Sequence, residues 1–484
     1  MSQHRISPAE FRFSYSRLGL SKSGQQLFRV ARKGGAVLLG KSPLTGRFCG
    51  KLNAPHPRAS RGLPWRISIA FLSVMLLTSL AGAQDSAPVT TRADQLKSDA
   101  LEKARGLGPP QPDKLERDVN RIEHSQIVDW ISGGLNGFGL RFGGLVTGSG
   151  FAVGPAYSRP DLLKENLLFR ISAAGSAKRY YNVDTLVSFP RLLGKRVRVD
   201  FYAQHADSPQ MAYYGPGPNS KKQSRTDYRR EDTTLDLLVG WRVHPRHVMV
   251  GFNAGGDLVN IGPGTSAVYA STDRVYSSAQ TPGIDVQSPY SHFGPFVQVD
   301  FRDHKADPHR GTHFLTRFDY FSDQTDLHSF RRWETLLEQY IPVLNEKRVF
   351  VVRGRTQLSY TRAGQVVPFY LQPTLGGADD LRGFRQFRYY DNDSLLINAE
   401  YRWEVAPMLD MAGFADAGKV FPRPGDIGLA HLQTDAGFGL RFKSRGAVVF
   451  RIDTGFSREG VQIWFKFSPP FLRLASPGLY HAMF

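Results

Sequence analysis

Cysteine is almost missing from this chain of 484 residues: Cys49 stands alone. That excludes a disulfide framework and any thiolate metal site. Long apolar runs are missing too. The run Ile67–Leu80 has fourteen residues interrupted by Ser68, Ser73, Thr78 and Ser79, and the mean hydropathy is −0.32, so a polytopic helical membrane protein is excluded. Acid is scarce at the start, where residues 1–64 hold 12 Lys+Arg and the single acid Glu10. That segment supplies most of the formal charge of +19. No nucleic-acid motif stands elsewhere, and no nucleic-acid partner is expected. Neither G-x-S-x-G nor H-E-x-x-H occurs. A Ser/His pair meeting across strands would leave no sequence signal, but nothing points to one. The expectation is therefore no enzyme, no catalytic residue, no metal and no cofactor. Gly35 to Ser42 match a P-loop formally, but Pro43 opposes the helix such a loop requires.

What is abundant points to β structure: 48 Gly and 12 % aromatics on a mildly polar chain suit an all-β protein rich in turns. Residues 1–64 read as a basic N-terminal extension outside the mature protein. Residues 65–83 read as a signal peptide, with Trp65-Arg66, the apolar run and the small-residue site Ala81-Gly82-Ala83 in order. Export would remove Cys49 as well. Residues 84–136 are charged and split by Pro109, Pro110 and Pro112, as in a periplasmic linker or short helices.

From residue 137 the hydrophobic period is two. In Leu395–Val405 the odd positions are Leu, Ile, Ala, Tyr, Trp and Val, and the even ones, Leu396 apart, are polar. Phe350 to Tyr360, Val448 to Ser457 and Val461 to Ser468 repeat the pattern, with Val449 and Trp464 breaking the polar face. Segments near ten residues with terminal aromatics, behind an export signal, predict strands that cross an outer membrane. About sixteen are countable between 137 and 471, giving an antiparallel transmembrane β-barrel, with 472–484 as a C-terminal tail. The long connections Asp207 to Ser224, Gly262 to Ser288 and Ala363 to Asp391 should be extracellular, and the short ones periplasmic.

The most specific stretch runs from Pro368 through Gly376-Gly377 to Leu381-Arg382-Gly383-Phe384. It resembles the (V/L)-R-G-F loop of the BamA/TamA-like bacterial surface-antigen superfamily. The resemblance implies that this long loop folds inward and that Arg382 meets lumenal acids, matched here by Glu400 and Asp416. Alternation independently points Glu400 into the lumen, and an arginine carried inside a barrel needs such partners. Tyr214 to Ser220 resemble the family's Y-G-x-G-x-x-S loop. Asp300, Arg302 and Asp303 with Pro308 and Gly311 resemble its D-x-R-D…P-x-x-G turn. Two features depart from the family: residues 84–136 are too few for a POTRA domain, and a tail follows the expected last strand.

The resemblance implies a bacterial outer-membrane barrel, monomeric, that assists insertion or translocation of polypeptide or lipid, with the Arg382 loop as gate. Its expected partners are outer-membrane lipid, client polypeptides and a separate periplasmic protein. Closure between the first and last strands is expected to be hydrogen-bonded but weak, given Gly143, Gly144, Gly148, Gly150 and Gly154. The alternative is a porin-like channel favouring anions through Arg353, Arg355, Arg402 and Lys466.

Overall fold

The computed structural model describes residues 98, 102, 137–146, 148–406, 408–444 and 447–467. The basic extension, the signal segment and the tail lie outside the described residues, as does 84–136 except for residues 98 and 102.

Alternation becomes strand wherever it was legible. The strands are β1 (Phe138–Gly143), β2 (Ala152–Asp161), β3 (Leu167–Ser176), β4 (Tyr181–Arg191), β5 (Val197–Tyr213), β6 (Thr226–His244), β7 (Val248–Pro263), β8 (Tyr290–Asp300) and β9 (Gly311–Asp323). They continue as β10 (Phe330–Val343), β11 (Asn345–Thr361), β12 (Thr374–Leu375), β13 (Tyr389–Tyr390), β14 (Asp393–Ala406), β15 (Leu409–Phe421), β16 (Gln433–Ser444), β17 (Ala447–Ser457) and β18 (Gly460–Lys466). Sixteen of them form one antiparallel meander in which each pairs with the next; β12 and β13 pair separately inside the loop between β11 and β14. No described helix is long and apolar enough to cross a membrane, which says nothing against crossing by strands.

The two faces separate as the period of two requires. Phe252, Phe293, Phe318, Ile463 and Phe465 are exposed on the outer face, while Arg353, Asp416, Glu400 and Asp453 are buried inside. Apolar outside and polar inside inverts a soluble sheet, and bilayer is the environment that makes it stable. Val448 departs from its expected lipid-facing place: it is buried, beside the register shift at Phe442/Lys443.

The longest connections lie at one end, although 177–180 and 458–459 at that end are short and 301–310 at the other has ten residues. The even-to-odd turns near 162–166, 192–196, 245–247 and 344 are short, whereas 214–225, 264–289 and 362–392 are long and lie at the opposite end. Several boundaries move relative to the sequence reading: the first strand, expected over 138–147, ends at Gly143, and the second, expected over 150–158, runs from Ala152 to Asp161. β5 continues through Tyr213 and β7 through Pro263, because Met211, Tyr213, Val259 and Ile261 pack into an aromatic cluster beneath the long loops. At 17, 19 and 16 residues, β5, β6 and β7 outrun the ~9–11 a tilted strand needs to cross a bilayer.

Among the described residues no ladder joins β1 to β18. The edges meet instead through rings: Phe467 lies 5.1 Å from Phe142 and 6.1 Å from Phe151, edge on. The expected hydrogen-bonded closure is therefore not seen there. Six residues in β1, ending at Gly143 with φ +128, offer little backbone to pair.

Candidate functional site

The loop 362–392 enters the barrel because its sequence folds on itself first. Gly376 and Gly377 have φ +111 and +112, and a Cβ on Gly376 would stand 2.3 Å from the Arg385 carbonyl. Only glycine fits that approach. The Gly377 amide then donates to the Leu381 carbonyl at 3.1 Å, and the Phe384 amide to the same oxygen at 3.1 Å. The β12–β13 pair closes the neck. This turn presents Leu375, Leu381, Phe384 and Tyr389 to Leu396 of β14 and Val420 of β15, all buried. Leu396 is thus no lapse in the polar face: it is the floor on which the loop stands.

Burial of that foot carries Arg382 among lumenal charges. Its Nε and Nη2 donate to the two Asp416 oxygens at 2.9 and 2.8 Å, its backbone N–H to Asp416 at 3.2 Å, and its Nη1 to Glu400. Glu400 also accepts from Arg402 Nε at 2.8 Å and Arg441 Nη2 at 3.2 Å, while Asn398 donates to Asp416 at 2.8 Å. The Arg382 guanidinium lies 3.5 Å from the centroid of the Phe414 ring. A bidentate arginine with its acids this well bonded survives burial, whereas either partner left alone would not.

The other half of the clasp holds backbone. Trp464 Nε1 on β18 donates to the Arg382 carbonyl at 2.6 Å, and Ser457 Oγ on β17 donates to that of Gly383 at 2.7 Å. A Cβ on Gly383 would stand 2.5 Å from Asp435 Cβ, and one on Gly455 of β17 would stand 2.5 Å from the Arg382 carbonyl carbon. Trp464, another exception to alternation, is therefore also a loop contact.

Several residues of this site carried no motif. Arg451 donates to the Ala378 carbonyl at 3.1 Å and pairs with Asp379; Arg355 pairs with Asp380 at 2.9 Å; Arg353 donates to the Asp379 carbonyl at 2.9 Å. Arg388, at the far end of the loop, pairs with Glu459 of the β17–β18 turn at 2.8 Å and donates to Ser220 Oγ at 2.8 Å. Charged residues two apart on the lumenal face, such as Arg451 and Asp453 or Arg353 and Arg355, were the available signal.

The remaining predicted residues lie elsewhere. Ser220 belongs to the cap over the loop end of the barrel, where the Gly217 amide donates to the Tyr390 carbonyl at 2.7 Å and Tyr213, Tyr228 and Phe369 pack edge to face. Beside it Asp391 is pushed up to about 6 by burial, with Asp426 adding repulsion against a bond from the Asn392 amide. The Asp300–Gly311 turn sits at the opposite end. Arg302 bonds both Asp300 oxygens at 2.9 Å, and Gly311, φ +110, would place a Cβ 2.1 Å from the Phe301 carbonyl. Burial disfavours the Asp303 charge, but amides of His304, Arg310 and His309 outweigh it and hold the carboxyl below its ordinary range. The structure thus brings Arg382, Glu400 and Asp416 together and leaves Asp300, Arg302, Asp303 and Gly311 as a separate turn lock. Among the described residues no group of His, Cys, Asp and Glu is arranged to hold a metal ion.

A sixteen-stranded antiparallel meander, apolar outside and polar within, is the architecture of an outer-membrane barrel. The model of the Omp85 superfamily domain matches residues 161–468, and the chain belongs to that superfamily. Among solved structures, BamA from Haemophilus ducreyi lacking POTRA domains 1–3 is similar at 16 % identity and a TM-score of 0.50, over 69 % of this chain and 70 % of that one. CdiB from Escherichia coli matches at 13 % identity and a TM-score of 0.47, over 67 % of this chain and 60 % of its own length. No curated protein matches the sequence.

Proposed function

We propose that this Omp85 barrel assists insertion or translocation of polypeptide or lipid at the outer membrane, without enzymatic chemistry, and that loop 362–392 is its gate. One observation carries the reading: Arg382 is clasped by acids of β14 and β15 while its carbonyl is held by β18, an edge strand with no described ladder to β1. A loop so tied couples the lumen to the edge. Client polypeptides and a separate periplasmic protein are the partners this role calls for. The porin-like alternative needs lumenal cations available to a passing anion. Here Arg355 pairs with Asp380, Arg402 with Glu400 at 2.8 Å, Lys466 with Asp379 at 3.2 Å, and Arg353 lies 3.8 Å from Glu338.

The test is conductance in planar bilayers with heat-modifiability on gels, wild type against Arg382→Ala. Small fluctuating currents that enlarge in the variant support a loop-gated barrel. Large, steady, anion-selective currents indifferent to the substitution would overturn it.

A further inference from the structure

Three turns at the short-loop end share a sequence pattern and an unfavourable backbone choice. Pro160, Leu162 and Lys164 in the first, Pro190, Leu192 and Lys195 in the second, and Pro342, Leu344 and Lys347 in the third follow one spacing: proline, leucine two residues on, lysine within five. At the tips Leu163, Leu193 and Leu344 have φ +51, +45 and +62. Such turns ordinarily take glycine or asparagine, because a β-carbon crowds the next carbonyl in this region. Leucine there gains nothing from the fold in return: these three side chains are 66, 75 and 86 % exposed. A large apolar side chain held outward against its backbone preference has its compensation outside the chain.

We propose that these turns form an insertion rim for an anionic phospholipid surface, the leaflet on the short-turn side of the barrel. Strand length sets their depth. β2, β3 and β4 have 10, 10 and 11 residues, about the ~9–11 of one bilayer crossing, so the tips of the first two turns fall at the boundary between hydrocarbon and headgroups. Charge selects the headgroup. The segments 160–166, 190–196 and 342–348 hold six basic residues against three acids, and Lys164, Arg191, Lys195, Arg196, Lys347 and Arg348 are all exposed. Leucine in the acyl boundary with lysine at the phosphates is the division of labour of an interfacial anchor. A soluble periplasmic protein covering the same leucines is the competing occupant, and the experiment separates the two.

The full chain with Cys49→Ser accepts single cysteines at Leu163→Cys, Leu193→Cys and Leu344→Cys, each labelled with an environment-sensitive fluorophore. Val268→Cys is the control, 81 % exposed at the opposite end. The purified barrel, shown folded by heat-modifiability, is reconstituted into phosphatidylethanolamine vesicles carrying equal phosphatidylglycerol and phosphatidylcholine, with a quencher on one or the other. The expected result is blue-shifted emission at the three leucine sites, not at Val268→Cys, quenched more by labelled phosphatidylglycerol. The triple variant Lys164→Glu, Lys195→Glu, Lys347→Glu should cut that preference at least about twofold. Water-like emission quenched by aqueous iodide would overturn the proposal, leaving the leucines for a protein partner. Equal quenching by the two labelled lipids would overturn the anionic assignment.

Discussion

The two walls of the lumen are built differently. Along β11 to β18 the arginines around the loop are dry: Arg353, Arg382, Arg441 and Arg451 are each no more than 1 % exposed and every one meets acids or carbonyls of the loop or the facing strands. Along β1 to β4 the same kind of side chain is wet. Arg141 reaches across Gly154 of β2 to Ser172 at 2.9 Å, Asn182 at 2.8 Å and Asp184, yet its side chain is 33 % exposed, and Arg170 is 34 % exposed. Among the described residues the loop lies against one side and leaves the other, next to the edge strand β1, with exposed charges. Identical residue types therefore carry different energetic weight, since an unpaired charge is costly only where water cannot reach it.

The sharpest way to break the contrast is Arg382→Ala. It leaves Asp416 without its arginine in the dry wall, while Glu400 keeps Arg402 and Arg441, and a loss of about 3–5 kcal/mol is expected, read as a lower midpoint for the heat-modified form. Gly455→Val should follow, at about 1–3 kcal/mol, because its side chain occupies the space of the Arg382 backbone. Its distinguishing mark is protease cleavage inside 362–392 with the barrel still folded; an uncut loop would sink the prediction.

Asp391 tests the cap rather than the wall. Its folded-state value of about 6 stands above that of the unfolded chain, so the folded cap binds the proton more tightly. Stability is then highest at acid pH, falls as pH rises from about 4 through 6, and levels off above, a change of at most about 3 kcal/mol before screening by solvent. Asp391→Asn should flatten cap protection, measured by hydrogen exchange over that range. Smallest of all, Arg141→Ala should cost under about 1 kcal/mol, because Asp184 keeps the Ser172 hydroxyl at 2.8 Å and the partly exposed Arg170 guanidinium at 3.9 Å. A loss as large as that of Arg382→Ala would show the wet wall to be dry.

Most of the barrel was legible because lipid outside and water or charge inside impose a period of two on every crossing strand. The loop was legible through the resemblance that Gly376-Gly377 and Leu381 to Phe384 bear to the superfamily's R-G-F loop. The exceptions to alternation were more informative than they looked in one dimension: Leu396 and Trp464 face the lumen because the loop stands on one and is hydrogen-bonded by the other. The clasp's wider membership was not legible. Arg441, Arg451 and Arg388 resemble any lumenal arginine until the strands are closed and the loop is seated.

Sequence alone determined which face of each strand meets lipid and about how many strands cross, since these follow from local periodicity, while the inward turn of loop 362–392 was implied by the resemblance of its R-G-F stretch to the superfamily's loop. Only the tertiary structure decided which charges are dry and paired, which stay exposed, and that β1 and β18 meet through rings. Those depend on residues up to hundreds of positions apart being brought within a few ångströms, and no local pattern encodes that.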